Sequence, residues 1–430
     1  MRPDAAPTSP LTAVSGPPRD GSAAARERLL RAGNHAALTC LQCGSCSVVC
    51  PHASVLAPWP RKEMLWLGLG DDERLAHDPD IWLCRDCGHC ARLCPRGADP
   101  AAVMAALRVD ACRRLSGGPR ADGPSGRAAA RLAGLPGGLF LLALLGWCLI
   151  WLLRAVQLGT WLPGADAPDR LRFAALYPVA LIDAIFLLTA ALVLLVLARG
   201  ARRQWRAYAP PGRLLRLGRR TSLLRDLLAV LRDGLGGRDF ARCRAGDELL
   251  PAGDASAAAS NRQRRGHLLL TLSLLGLAGV SGAVALGHWA GLLRLDGAFA
   301  TPLPVFGPLK LLANLAALAL LAGLWQLLRR RREEGRRRHL SPEGRRLLLL
   351  FLWVTLSGLA AQGLRLAQLA FGAYAVYTVH LALVWTLFAS LPWSPLAHAV
   401  YRSVALLHVR HRGRVPLAAP PLSPAKEDPA

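Results

Sequence analysis

Lysine is nearly missing from this chain. Lys62, Lys310 and Lys426 are the three present, so 50 of the 53 basic side chains are arginine. Acidic residues number 28, which leaves a formal net charge of +25. On a soluble protein that excess would point to nucleic acid. Here the arginines gather between long apolar runs, where positive charge reads as membrane topology, so no nucleic-acid partner is expected. Charge as a whole is also scarce, at 19% against 53% hydrophobic residues, with mean hydropathy +0.28. That excludes a disordered chain and an ordinary soluble protein. The opening residues, MRPDAAPTSPLTAVSGPP, hold no apolar run, so no secretory signal peptide is expected.

Eight of the eleven cysteines fall between positions 40 and 94, in two groups of identical spacing; Cys112, Cys148 and Cys243 are scattered. A disulfide scaffold belongs to short secreted chains, so metal or cluster binding is the better class. Cys40, Cys43, Cys46 and Cys50-Pro51 form the first motif, and Cys84, Cys87, Cys90 and Cys94-Pro95 the second. In this spacing three thiolates wrap one corner of a cubane, and the Cys before proline reaches the other cluster. The expected sets are Cys40, Cys43, Cys46 with Cys94, and Cys84, Cys87, Cys90 with Cys50, each for one [4Fe–4S] cluster. Zinc prefers one tetrahedral set, often from two separated Cys pairs, and fits two full four-cysteine runs poorly. His52 and His89 read as surface or hydrogen-bonding side chains. Residues 61–83 read as helix–turn–helix without strand periodicity, which predicts an α-helical ferredoxin. The passages CLQCGSCSVVCP, WPRKEMLWLGLG and IWLCRDCGHCARLCP resemble the C subunit of heterodisulfide reductase, across about residues 36–108.

Beyond a Gly/Pro/Arg linker at 113–135, six apolar segments are long enough to span a bilayer: about 136–153, 174–198, 267–289, 305–328, 347–368 and 372–394. The expected fold is therefore all-α. A disordered tail (1–25) precedes a dicluster ferredoxin domain (26–112), a six-helix transmembrane cytochrome b-like bundle (136–408) and a tail (409–430). The loop at 199–266 holds sixteen Arg and that at 329–346 nine. This places both termini on the cytoplasmic side of the inner membrane. The amphipathic stretch LLRDLLAVLRDGL (223–235) is expected on the lipid surface or on a partner, or as a solvated loop helix.

Ionisable residues inside apolar segments are functional candidates. His267 and His288 belong to the third segment. His380 and His398 are 18 residues apart, five whole turns and about 27 Å on an unbroken helix. Haem b in a bundle is held by two histidines from different helices. The expected pairs are His267 with His398 and His288 with His380, for one or two haems. His339, His408 and His411 lie in basic cytoplasmic stretches and read as solvated or as lipid-headgroup contacts. Lys310, Asp183 and Arg365 are candidates for an outer-side quinone site beside His288 and His380; a cytoplasmic-side site near His267 is the alternative. VHLALVWTLFASLPWSPLAH (379–398) looks like the last helix of the nitrate reductase gamma subunit family, where two histidines at this spacing bind haem b; Leu277 stands where that family has a further His.

The order of parts, with FARC (240–243) and PLPVFGPLKLLANLAALA (302–319), resembles the C subunit of quinone-interacting membrane-bound oxidoreductases. That resemblance implies cytoplasmic flavin- and iron–sulfur-containing partner subunits and electron exchange between a menaquinone or ubiquinone pool and adenylylsulfate reductase. The expected role is a membrane electron-transfer subunit. The alternatives are a related heterodisulfide reductase-like or sulfite-reductase-associated menaquinol complex, and a haem-free cluster-bearing anchor or redox sensor.

Overall fold

The computed structural model describes residues 35–55, 57–71, 74–75, 78–117, 137–165, 171–208, 222–235, 255–291, 303–333 and 342–412. The tail at 1–25, most of the linker, His339, Cys243 and the segment FARC lie outside the described residues. All regular structure among the described residues is helical, as the sequence predicts.

The cysteine-rich unit holds α1 (Ser45–Val48), α2 (Arg61–Leu69), α3 (His89–Arg92) and α4 (Pro100–Leu115). Helix α2 stops at Gly70, whose φ of 71° accommodates the left-handed turn. Helix α4 starts with Pro100 at its first position, and the Asp99 side chain accepts from the Ala102 N–H. It runs to Leu115, past the domain boundary expected at 112. The long helices are α5 (Gly138–Leu158), α6 (Val179–Ala207), α8 (Ala255–Gly291), α9 (Pro308–Glu333), α10 (Pro342–Leu366) and α11 (Ala370–Ser390); α7 (Leu223–Leu235) precedes α8, and α12 (His398–Arg412) closes the described chain. Six spans are apolar and long enough to cross a membrane, the last reaching Trp393.

Three expectations change. First, α6 has 29 residues and α8 has 37, well beyond their apolar windows. Their polar ends carry the helix on past the roughly 30 Å of hydrocarbon that hydropathy detects. Second, His380 and His398 do not share one helix. Helix α11 ends at Ser390, and two 3₁₀ turns, Leu391–Trp393 and Pro395–Ala397, precede His398. Pro392 and Pro395 lack the N–H an unbroken helix needs and collide with the preceding turn. The five-turn phase argument therefore fails. Third, His408 is buried rather than solvated, its ring 5.4 Å from that of Trp205 and 5.3 Å from that of Tyr208.

Helix α7 sits on α12. Asp226 binds His411 Nδ1 at 3.0 Å and Arg410 Nε at 3.4 Å, and Asp233 binds Arg410 Nη1 at 3.6 Å. Its leucine stripe, Leu224, Leu228 and Leu231, stays exposed.

Two apolar cores hold the molecule. In the first, Trp59, Met64, Trp82 and Met104 of the cysteine unit pack in one cluster with Val193 and Leu197 of α6 and Tyr401 and Ala405 of α12. The second, at the other end of the bundle, joins Trp147, Tyr177, Tyr374 and Leu381. There Tyr177 Oη meets Thr378 Oγ1 at 2.6 Å, and Tyr374 donates to the Pro163 carbonyl at 2.8 Å.

Candidate redox centres

The two cysteine loops share one backbone pattern. Gln42 and Gly44 in the first, and Asp86 and Gly88 in the second, have φ of 57°, 85°, 54° and 81°. Left-handed residues at these places curl successive N–H groups inward, the concave nest that suits an anionic cluster. The Asp86 N–H points at Cys84 Sγ (3.4 Å), the Ala98 N–H at Cys94 Sγ (3.2 Å) and Gln42 Nε2 at Cys40 Sγ (3.4 Å). One cavity is lined by Cys40, Cys43, Cys46 and Cys94; a second is lined by Cys84, Cys87, Cys90 and Cys50. Each cavity thus takes three sulfurs from one motif and the pre-proline sulfur of the other.

Burial pushes the Cys46 thiol up to about 11 and Cys50 to about 12, and raises Cys90 well above its ordinary value. Gathered thiolates repel one another and are costly to bury, so the donor set calls for a compensating cation. Eight sulfurs in two groups of four, with N–H donors aimed at them, fit two iron–sulfur clusters.

The loop that lines the second cavity is tied to the helix that begins with His398. Arg402, one turn after His398 on α12, donates from Nη1 to the carbonyls of Trp82 and Cys84 (3.0 Å for the latter) and from Nη2 to that of Leu83 (3.4 Å). Arg108 donates to the Ile81 carbonyl at 3.3 Å. His398 Nδ1 donates to the Pro395 carbonyl, so Nδ1 carries the proton and Nε2 keeps its lone pair. Burial pushes His398 down to about 4 despite that bond, and Arg402, His267 and Arg108 press the same way. A neutral imidazole with a free Nε2 lone pair is the form that ligates iron.

His267 lies within electrostatic reach of His398, Arg85 and Arg402, and its Nδ1 meets Thr271 Oγ1 at 3.3 Å. Helix α8 packs along α9. His380 is set by α10: Ser357 Oγ donates to the Val354 carbonyl at 3.1 Å and so accepts from His380 Nδ1–H at 3.0 Å. A Cβ on Gly358 would meet His380 Cε1 at 2.9 Å, so glycine is what admits the ring. Each of these three imidazoles has its Nδ1 engaged by a neighbour.

Of the remaining candidates, Lys310 comes within electrostatic reach of His380 and of Arg365. The His288 ring lies 6.2 Å from that of Trp289, and among the described residues no hydrogen bond or ring contact joins it to His380. Asp183 Oδ2, on α6, is buried without a hydrogen bond among the described residues. Sequence reasoning missed Arg402, Arg85, Arg108, Ser357 and Gly358. Arg402 had a signal in its i, i+4 spacing from His398; the others had none.

Residues 172–419 match the family described as Citrate utilization protein B. The chain belongs to that family. Residues 36–98 match the 4Fe-4S dicluster domain, so this member carries an iron–sulfur domain ahead of the family's core. The same region is similar to a protein of Archaeoglobus profundus described as like the C subunit of heterodisulfide reductase, 43% identical over 72 residues (16% of this chain, 37% of that protein). The C subunit of the H(2):CoB-CoM heterodisulfide,ferredoxin reductase of Methanothermobacter marburgensis is 28% identical over 87 residues (20% and 47%). The second iron-sulfur C subunit of the CoB–CoM heterodisulfide reductase of Methanocaldococcus jannaschii is 36% identical over 75 residues (17% and 40%). The chain spans less than half the length of these relatives. No solved structure matches the chain.

Proposed function

We propose that this chain is a multi-pass membrane electron-transfer subunit, with both termini cytoplasmic, that links the quinone pool to cytoplasmic flavin- and iron–sulfur-containing subunits. The observation that carries the reading is the junction at Arg402, which ties the Cys84 loop to the helix that begins with His398. Cys40, Cys43, Cys46 and Cys94 would hold one [4Fe–4S] cluster, and Cys84, Cys87, Cys90 and Cys50 the other. His267 and His398 would hold a haem b beside the second cluster, and His380, with His288 as candidate partner, another at greater depth. Bound clusters and haem supply one-electron carriers; the protein supplies no carrier of its own.

The chain's residues set position, charge and protons. The arginines beside His398 favour added negative charge at the inner centre. Lys310 and Arg365 would bind the carbonyl oxygens of menaquinone or ubiquinone by hydrogen bonds, and Asp183 would exchange a proton at Oδ2. The apolar faces of the six spans keep that step out of water. No nucleophile or acid–base pair for another substrate is assigned.

The partner's substrate has two readings. The resemblance to the C subunit of quinone-interacting membrane-bound oxidoreductases favours adenylylsulfate reductase and dissimilatory sulfur metabolism. Membership of the citrate utilization protein B family favours a role in citrate utilization. The subunits that co-purify decide: electron exchange with adenylylsulfate reductase supports the first, electron exchange with an enzyme that acts on citrate or a related acid the second. The role itself is tested by a reduced-minus-oxidised optical spectrum of purified protein with menaquinol as reductant. Two b-type haems reduced by the quinol are expected, and a single haem removes His288. No haem in a folded, cluster-loaded sample overturns the quinone-linked role.

A further inference from the structure

We propose that Arg402 is the positioning residue for electron transfer between the two halves of the protein: its guanidinium fixes the cluster-bearing loop against the His398 helix and holds positive charge between the two redox centres. The proposal rests on the electron-transfer reading above.

The geometry is specific. One guanidinium gathers three successive carbonyls, those of Trp82, Leu83 and Cys84. They leave the 3₁₀ turn Pro79–Trp82, whose C-terminal end attracts a cation. The third belongs to a cysteine of the second cavity. Backbone carbonyls are neutral, so they hold the guanidinium without cancelling its charge. Arg402 follows His398 by four residues, so both side chains leave the same face of α12. Its charge acts on His398 and on His267. A lysine would keep the charge but could not fork to three acceptors, because an ammonium lacks the planar donor array.

Two consequences follow. Positive charge beside each centre stabilises its reduced form, so Arg402 raises both reduction potentials. A fixed loop-to-helix distance sets the tunnelling path, which loosens when the fork is lost. No bond forms or breaks; one electron moves from one centre to the other while Arg402 keeps its proton.

The test uses the full chain in detergent with its cofactors. Midpoint potentials come from optical and paramagnetic-resonance titrations, and the transfer rate from flash reduction. Arg402→Gln should lower both potentials and slow transfer at least several-fold. Arg402→Lys should keep the potentials near wild type and still slow transfer. Ser116→Ala removes an uncharged contact with Tyr401 at the same junction and should leave the potentials unmoved. Unshifted potentials in Arg402→Gln, or a wild-type rate in Arg402→Lys, overturn the proposal. If Arg402→Gln does not fold, Arg402→Lys decides alone by its rate. A wild-type chain without haem absorbance overturns the electron-transfer reading, and the proposal with it; unshifted potentials with cofactors in place overturn the proposal only.

Discussion

Replacing Lys62 by methionine should cost this protein a large part of its stability. The Lys62 ammonium sits 2.9 Å from Glu63 Oε1 and 2.9 Å from Asp80 Oδ2, and donates also to Asp78 Oδ2. All four side chains are 0–1% exposed. The three carboxylates crowd closely enough to suggest a metal site, but the ammonium already occupies the centre. Methionine has nearly the length and volume of lysine, so packing against Trp66, whose ring centroid lies 4.9 Å from Nζ, survives. The loss is electrostatic. Removing one partner of a buried ion pair costs about 3–5 kcal/mol, against about 5–15 kcal/mol for a whole domain. With a urea slope of about 2 kcal/mol/M, the unfolding midpoint should fall by about 2 M. The assay is anaerobic urea unfolding of the detergent-solubilised, cluster-loaded chain, followed by tryptophan fluorescence and visible absorbance together. Lys62→Met combined with Glu63→Gln, Asp78→Asn and Asp80→Asn removes all four charges jointly and should recover most of the loss. A Lys62→Met midpoint equal to wild type, or a quadruple variant no better than the single one, would refute the reasoning.

Burial raises the Glu63 carboxyl well above the ordinary carboxylate range, and burial with Asp80 beside it raises Asp78. A carboxyl raised by folding adds stability below its unfolded value, and that contribution is lost as pH rises through the folded value. Stability should therefore decline as pH rises above the ordinary carboxylate range, and Glu63→Gln should flatten the decline in pH-dependent urea titrations. Cys94→Ser should abolish the paramagnetic signal of the cluster on Cys40, Cys43 and Cys46 and spare the other; loss of the other signal instead would refute the crossed sets. Gly358→Ala places a Cβ against His380 and should perturb or remove one haem band, read from the optical spectrum. Gly200→Ala would bring a Cβ within 2.8 Å of the Leu115 carbonyl and press on Tyr401, and should lower stability by about 1–3 kcal/mol in the same urea assay.

The cysteine loops were legible because their chemistry is local. Three sulfurs at fixed short spacing and a fourth before proline constrain one loop regardless of what packs on it. The spans were legible because bilayer thickness imposes a length. Helix ends were not, since Arg-rich tails can extend a helix or leave it, and composition does not distinguish the two. The break at 391–397 was written in Pro392 and Pro395, yet an 18-residue spacing that matched five turns hid it. Tertiary partners decided the rest. His408 looks solvated until Trp205 and Tyr208 close on it, and nothing local shows that Asp226 of α7 meets Arg410 and His411 while its leucine stripe stays exposed. The junction at Arg402 joins residues 320 apart, which no local pattern reports.

The apolar cluster that runs from Trp59 and Trp82 into α6 and α12 has a consequence for assembly. Two units that share a core do not mature as separate modules. Cut from its bundle, the cysteine unit would present Trp82 and Met104 to water; cut from its cysteine unit, the bundle would present Val193, Leu197 and Tyr401. Closing the helices and folding the cysteine unit then bury parts of one and the same core. A foreign ferredoxin grafted at the same boundary would need new ends on α6 and α12, not merely a linker of the right length.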